Sequence, residues 1–167
     1  MSDTPNASQE LTKVCIDLPN HWWLKGESFW ARPLGGDRYE LQNVPFCAYG
    51  LNLGDVVRAV AASPERKPEV VEVLERSGNE TLRVSFSVER DLQTPHIESI
   101  EALGAQAERA NGTFVALNVP PDADLDALRD HLDQLEADGV LFYETCEERV
   151  PGSFDDRPED GDATDEA

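Results

Sequence analysis

The side chains of this 167-residue chain that could make or break bonds are three cysteines, three histidines and a dense population of carboxylates. A cysteine nucleophile needs an imidazole within hydrogen-bonding reach and a third group to orient that imidazole. Cys47 could supply the thiol, His21 or His96 the base and Asp55 the orienting carboxylate, giving a small hydrolase-like enzyme. Burial without a basic neighbour holds a thiol protonated, and Cys15, Cys47 and Cys146 all sit in apolar or β-like runs, KVCIDL, PFCAYG and FYETCE. The balance is therefore against catalysis, and no catalytic residue is assigned. Their odd number and wide spacing offer no disulfide framework either.

Metal and phosphate chemistry lack their patterns. There is no CxxC, HExxH or His-x-His among Cys15, Cys47, Cys146, His21, His96 and His131, so neither a metal nor a cofactor is expected. Asp122, Asp124 and Asp126 begin like a calcium loop but lack its glycine and closing glutamate; they suit the positive N-terminus of a helix. GLNLGD lacks the lysine and the Ser or Thr of a phosphate-binding loop.

Binding chemistry is better represented. Trp22, Trp23, Trp30, Phe46, Tyr49, Asn52 and Asp55 are the candidate binding residues. Neighbouring side chains on an extended chain point to opposite sides, which favours Trp22 and Trp23 as surface anchors, whereas Trp30 and Tyr49 are expected in the core. The run NVPFCAYGLNLGDVV, residues 43–57, reads as an ordered loop: Gly50, Asn52 and Gly54 tolerate positive φ, Asp55 can accept from nearby amides, and Phe46 and Tyr49 can anchor it. These residues point to a soluble binding or regulatory module with a protein or small-molecule partner. Two alternatives stay open: the Cys47-centred hydrolase, and a small-barrel RNA-binding protein with Arg32, Arg38, Arg58 and Arg83 gathered on one face.

Charge weighs against the last of these. Thirty-four acidic and fourteen basic residues give a formal net charge of -20, a field that repels nucleic acid backbone, so nucleic acid is not an expected partner. Only Lys13, Lys25 and Lys67 are lysines, against eleven arginines. Mimicry of nucleic acid, an acidic interaction tail and adaptation to a salt-rich interior would each account for acidity; a mimic would not need few lysines, whereas salt adaptation, where counterions screen self-repulsion, suits the bias, with the tail contributing part of the excess. No apolar run approaches the ~20 residues that cross a bilayer, and the first residues carry no basic stretch followed by an apolar block. The expectation is a cytoplasmic chain with no membrane partner.

The elements follow from periodicity. Residues 1–12 and the acidic tail 150–167 are expected to be flexible and disordered. Residues 13–89 form a β-rich part, with strands at Lys13–Leu18, Glu27–Leu34, Arg38–Val44, Asp55–Ala61, Glu69–Glu75 and Thr81–Glu89. In the last, Leu82, Val84, Phe86 and Val88 alternate with polar residues. Residues 82–149 form an α/β part that shares strand 82–88: a helix capped at Thr94–Pro95 and closed by Asn111–Gly112, strand Thr113–Val119, a helix with Leu125, Leu128, Leu132 and Leu135 on one face, and strand Val140–Cys146. The fold class is α+β: an N-terminal antiparallel curved sheet or small barrel packed with a C-terminal β-α-β-α-β ferredoxin-like half. That half lacks a second hairpin, and Lys13–Leu18 is the candidate to fill the gap.

The run ESFWARPLGGDRYELQNVPFCAYGLNLGDVVRA, residues 27–59, resembles a segment of a prokaryotic family of uncharacterised proteins classed as a domain of unknown function. The resemblance rests on Phe29-Trp30-Ala31, Pro33-Leu34-Gly35, Tyr39, Asn43, Pro45-Phe46, Ala48-Tyr49-Gly50 and Gly54-Asp55-Val56-Val57. It implies no activity, cofactor or catalytic residue. Cys47 stands where many members of that family have an aromatic residue, which weakens it as a nucleophile.

Overall fold

A computed structural model describes residues 10–21, 25–149 and 151–155. The fold is α+β, mostly antiparallel, and divides into two compact units: residues up to Ser77 together with those from Glu147 onward, and Gly78–Cys146.

The first unit is a closed barrel of β1 (Thr12–Asp17), β2 (Gly26–Gly35), β3 (Arg38–Leu41), β4 (Val56–Val60) and β5 (Glu69–Glu75), in that order around the wall. Gly35 and Gly36, with φ of 92° and 65°, and Asp37 at 67° turn β2 into β3, where the GGD run marked a hairpin. Successive strands are antiparallel, and a parallel contact between β1 and β5 closes the barrel at Cys15 and Glu69. Inward alternation of Val14, Ile16, Phe29, Ala31, Leu41, Val57, Ala59 and Val70 fills the core. With Phe29 and Ala31 pointing inward, Trp30 between them must point outward, and it is 44% exposed. The expectation that Trp30 is a core residue is thereby corrected; Tyr49, 7% exposed, does lie in the core.

The second unit runs β6 (Glu80–Phe86), α1 (Arg90–Ala102), β7 (Gln106–Arg109), β8 (Phe114–Val119), α2 (Leu125–Ala137), β9 (Leu141–Thr145). Its sheet has the order β7-β8-β6-β9, each neighbouring pair antiparallel. Leu82, Val84, Phe86, Val115, Leu117 and Val119 meet Ile100 of α1 and Leu128, Leu132 and Leu135 of α2 in a separate core.

Three expectations change here. The first helix starts at Arg90 rather than beside Thr94, leaving Pro95 inside it, and ends before Gly104, whose φ is 107° and whose added Cβ would lie 2.8 Å from the Ala123 Cβ. Asn111–Gly112 therefore turns a hairpin between β7 and β8, the Asn111 side chain accepting from Thr113 N and Phe114 N at 2.9 Å each. That hairpin supplies a strand absent from the expected second half, while residues 13–17 stay in the barrel. Among the described strands β6 pairs with β8 and β9, so strand 82–88 is not shared between the two sheets. Buried Gln93 joins the hairpin to the helix, its Nε2 donating to Val88 O and Gly112 O at 2.9 Å each.

Residues 151–155 also depart from the disorder expected of positions 150–167. Phe154 packs against the barrel core and Asp155 is 4% exposed. Residues 1–9, 22–24, 150 and 156–167, including Trp22 and Trp23, lie outside the described residues.

Candidate functional site

The loop between β3 and β4 is built around two carboxylates. Glu27, at the start of β2, receives three consecutive backbone N–H groups: Phe46 N at 2.6 Å on Oε2, and Cys47 N and Ala48 N at 2.9 Å each on Oε1. Successive amides converging on one point form an anion cradle, which the chain fills with its own side chain. Asp55 is fully excluded from solvent. Its carboxylate accepts from Asn52 N at 2.9 Å, from Ser77 N at 2.9 Å and from the Arg76 guanidinium at 3.4 Å. Arg76 also donates to Gly50 O at 2.6 Å, and the Ser77 hydroxyl to Leu53 O at 2.7 Å, so the exit of β5 is tied to the loop twice more. Gly50 and Gly54, with φ of 83° and 85°, provide the reversals that let these amides converge.

Burial pushes the Asp55 carboxyl above its usual range, and the hydrogen bonds from Ser77 and Asn52 and the Arg76 charge oppose that without cancelling it. Asp55 is thus occupied as the hub of the loop, not as the orienter of an imidazole. Cys47 is 2% exposed, inside the barrel core, and its amide is committed to Glu27. His96 belongs to the second unit, in α1. Phe46 packs on the core, and Tyr49 carries the Arg149 guanidinium 4.4 Å from its ring centroid. Of the candidate residues, the structure brings Phe46, Cys47, Tyr49, Asn52 and Asp55 together as one loop and sets Trp30 on the outer wall.

That wall holds a different constellation. Lys13, directly opposite Trp30 in the β1–β2 ladder, places Nζ 4.8 Å from the indole centroid. The next outward pair is Cys15 and Ser28, and Lys67 Nζ donates to the Ser28 hydroxyl at 3.0 Å. Two of the three lysines of the chain therefore stand on this strip. Beside it is an open depression of roughly 630 Å³ in which Cys15, Val60, Arg66 and Lys67 are joined by Asp17, Glu65 and Glu69. Burial, then Glu69 and Asp17, push the Cys15 thiol up, against the opposing Lys67 and Arg66 charges, so the thiol stays protonated at neutral pH. A lysine over an exposed indole, beside mixed charges, is suited to contact and not to bond making. Neither lysine carried a local signal; the strand phase that exposes Trp30 is what groups them.

The arginines meet glutamates. Arg32 pairs with Glu40 across β2 and β3, Arg58 with Glu72 at 2.7 Å across β4 and β5, and Arg38 with Glu75 at 3.3 Å. Arg83, in the second unit, is buried opposite Glu144 at 3.8 Å. Among the described residues, no group of three or more His, Cys, Asp or Glu side chains could hold a metal. Asp124 caps α2 by accepting from Ala127 N at 3.0 Å.

One contact had no sequence signal. Ser99 of α1 and His131 of α2 meet, Oγ to Nε2, at 2.9 Å. The Ser99 hydroxyl donates to His96 O at 2.8 Å, so its oxygen accepts from His131; a nucleophilic serine would donate to the imidazole. This pair ties two helices.

The model of a domain of unknown function, DUF4265, matches residues 27–143, from the start of β2 into β9. The chain belongs to the DUF4265 family. No curated protein matches it. A solved structure, described as that of a hypothetical protein from Neisseria gonorrhoeae, is similar with a TM-score of 0.69 at 17% identity, over 83% of this chain and 96% of that one. At that identity the likeness shows the fold this DUF4265 member shares, and no more. Among the described residues no helix is long and apolar enough to cross a membrane.

Proposed function

We propose that the chain is a binding module that takes a protein partner on the outer wall of its barrel, around Trp30. The observation that carries this reading is a 44% exposed indole under a lysine, on a strand whose flanking Phe29 and Ala31 are fully buried. Large aromatic rings beside a cation are what interfaces concentrate at their centres. Trp22 and Trp23 remain proposed anchors of the same kind, and segment 27–59 the proposed signature of the family. Replacing Trp30 by alanine is expected to weaken a stoichiometric partner, recovered from source lysate and then purified, by about 30-fold, the scale of a central aromatic contact. Titration of that partner against both forms checks it; equal affinity removes Trp30 from the interface.

The second unit we read as a ferredoxin-like plait, supported by the β-α-β-β-α-β sequence of elements and the order β7-β8-β6-β9. The acidity we read as salt adaptation of a cytoplasmic protein, supported by the charge of -20 and by the scarcity of lysine. Raising KCl from 0.1 to about 3 M should then lift the thermal midpoint by about 5 °C or more, through screening of carboxylate repulsion. Circular dichroism measures this, and a flat midpoint across that range rejects salt adaptation.

A further inference from the structure

The barrel closes weakly at one seam. β1 and β5 share a single register pair, Cys15 with Glu69, where Cys15 N donates to Pro68 O at 2.9 Å. Beyond that point β5 is bulged on its β4 side, where Val71 and Leu74 have no counterpart in the ladder and are 45% and 42% exposed. A depression of roughly 310 Å³ opens there between Ile16, Asp17 and Pro19 on one side and Glu69, Val70 and Val71 on the other. Residues 152–155 line the same depression.

Residues 154 and 155 are held by three contacts. Phe154 packs against the barrel core, its carbonyl accepts from Tyr49 N at 2.9 Å, and the Asp155 carboxylate accepts from Asn20 N at 2.8 Å. An aromatic anchor, a main-chain bond and a carboxylate on a backbone amide are three elements by which peptide slots read short extended segments. Phe154 is the one apolar side chain larger than valine in the sequence of residues 150–167.

We infer that the seam is a recognition slot for a short peptide with an aromatic residue followed by Asp or Glu, and that residues 151–155 are its resident ligand in cis. The slot adjoins the Trp30 wall, Asp17 and Glu69 lining both its depression and the one beside that strip, but it takes the opposite end of the seam from Trp30 and Lys13. A tethered segment acts at an effective concentration in the millimolar range, so a free peptide competes only when the resident is weakened. The ligand would be such a motif on a partner protein, admitted when the tail is displaced.

The test uses the full chain and a labelled hexapeptide of residues Pro151 to Asp156. Phe154→Ala, with Asp155→Ala as the second variant, should bind the peptide at least about 10-fold more tightly than the intact chain. The Tyr49 amide reports the site directly: its hydrogen exchange should accelerate in Phe154→Ala and slow again when peptide is added. The same peptide with alanine in place of phenylalanine should do neither. Absence of binding to either folded variant, equal binding to all forms, or unfolding of both variants overturns the proposal, since the segment is then a fixed part of the barrel. Concentration-dependent dimerisation of the intact chain that ceases in Phe154→Ala would make the occupant a second copy and overturn the reading of a partner protein.

Discussion

Asp55→Ala is expected to destabilise the first unit by about 3–5 kcal/mol, the largest single-residue effect outside the cores. The side chain is solvent-excluded and accepts from Asn52 N, Ser77 N and the Arg76 guanidinium. Removing it takes the carboxylate acceptor from two main-chain donors on half-buried residues, at ~1–3 kcal/mol each. It also frees the exit of β5 from the loop that Gly50 and Gly54 bend. Asp55→Asn keeps the shape but turns an NH2 group towards one of those donors, so it should recover only part of the loss. The pH dependence has a definite sign. Burial raises the folded-state pKa above its unfolded value near ~3.9, so the proton is held more tightly in the folded protein. That contribution is fully present below the unfolded value and is lost as pH rises through the raised one. The stability difference between the parent and Asp55→Asn should therefore shrink with increasing pH across that window. Urea unfolding at a series of pH values measures both quantities. A loss below about 1 kcal/mol for Asp55→Ala would remove Asp55 as the hub, and a difference that grows with pH would overturn the raised pKa.

How much of this was legible depends on the range over which each signal acts. The alternation at Leu82, Val84 and Phe86 is local, and the strand it marks is present as β6. The expected helix runs past Ala102 because Leu103 and Ala107 continue the helical spacing, whereas Gly104 at positive φ ends it, and the close approach of Ala123 that leaves room only for glycine there comes from 19 residues away in sequence. Asn111–Gly112 was a hairpin signal in plain view, but between a helix and a strand it also fits a helix end. Residue type alone favours the core for an aromatic ring in a strand, but the buried Phe29 and Ala31 set the phase that turns Trp30 outward. Phe154 was hidden by composition: one anchoring ring among carboxylates does not move an average, yet it is enough to dock five residues. The loop at residues 43–57 was read correctly as a set of turns. Its two governing contacts were not equally visible, since Asp55 bonds to Asn52 three residues away whereas Glu27 reaches back from 19 to 21 residues.

Glu27 carries the second large expectation. Glu27→Ala should cost about 3 kcal/mol, because Cys47 and Ala48 are buried and their N–H groups, with that of Phe46, would lose their acceptor together. Glu27→Gln separates charge from shape. The amide oxygen can still accept from Cys47 and Ala48, but the NH2 group then faces Phe46 N, where the carboxylate makes its 2.6 Å contact. About half the alanine penalty is therefore expected for Gln. Hydrogen exchange gives this prediction its local signature: the amides of residues 46–48 should open in both variants, by roughly 10-fold or more in Glu27→Ala, while amides of the second unit such as Val84 keep their protection. If Glu27→Gln is as stable as the parent, the negative charge is irrelevant and an acceptor oxygen of the right shape is enough to hold the cradle. If exchange quickens equally in both units, the substitution has acted on global stability and Glu27 is not the local keystone of the loop. The expected pattern, a loop that loosens while the second unit stays closed, would assign to one glutamate the ordering of a run whose glycines, asparagines and aromatics resemble a reactive site in sequence.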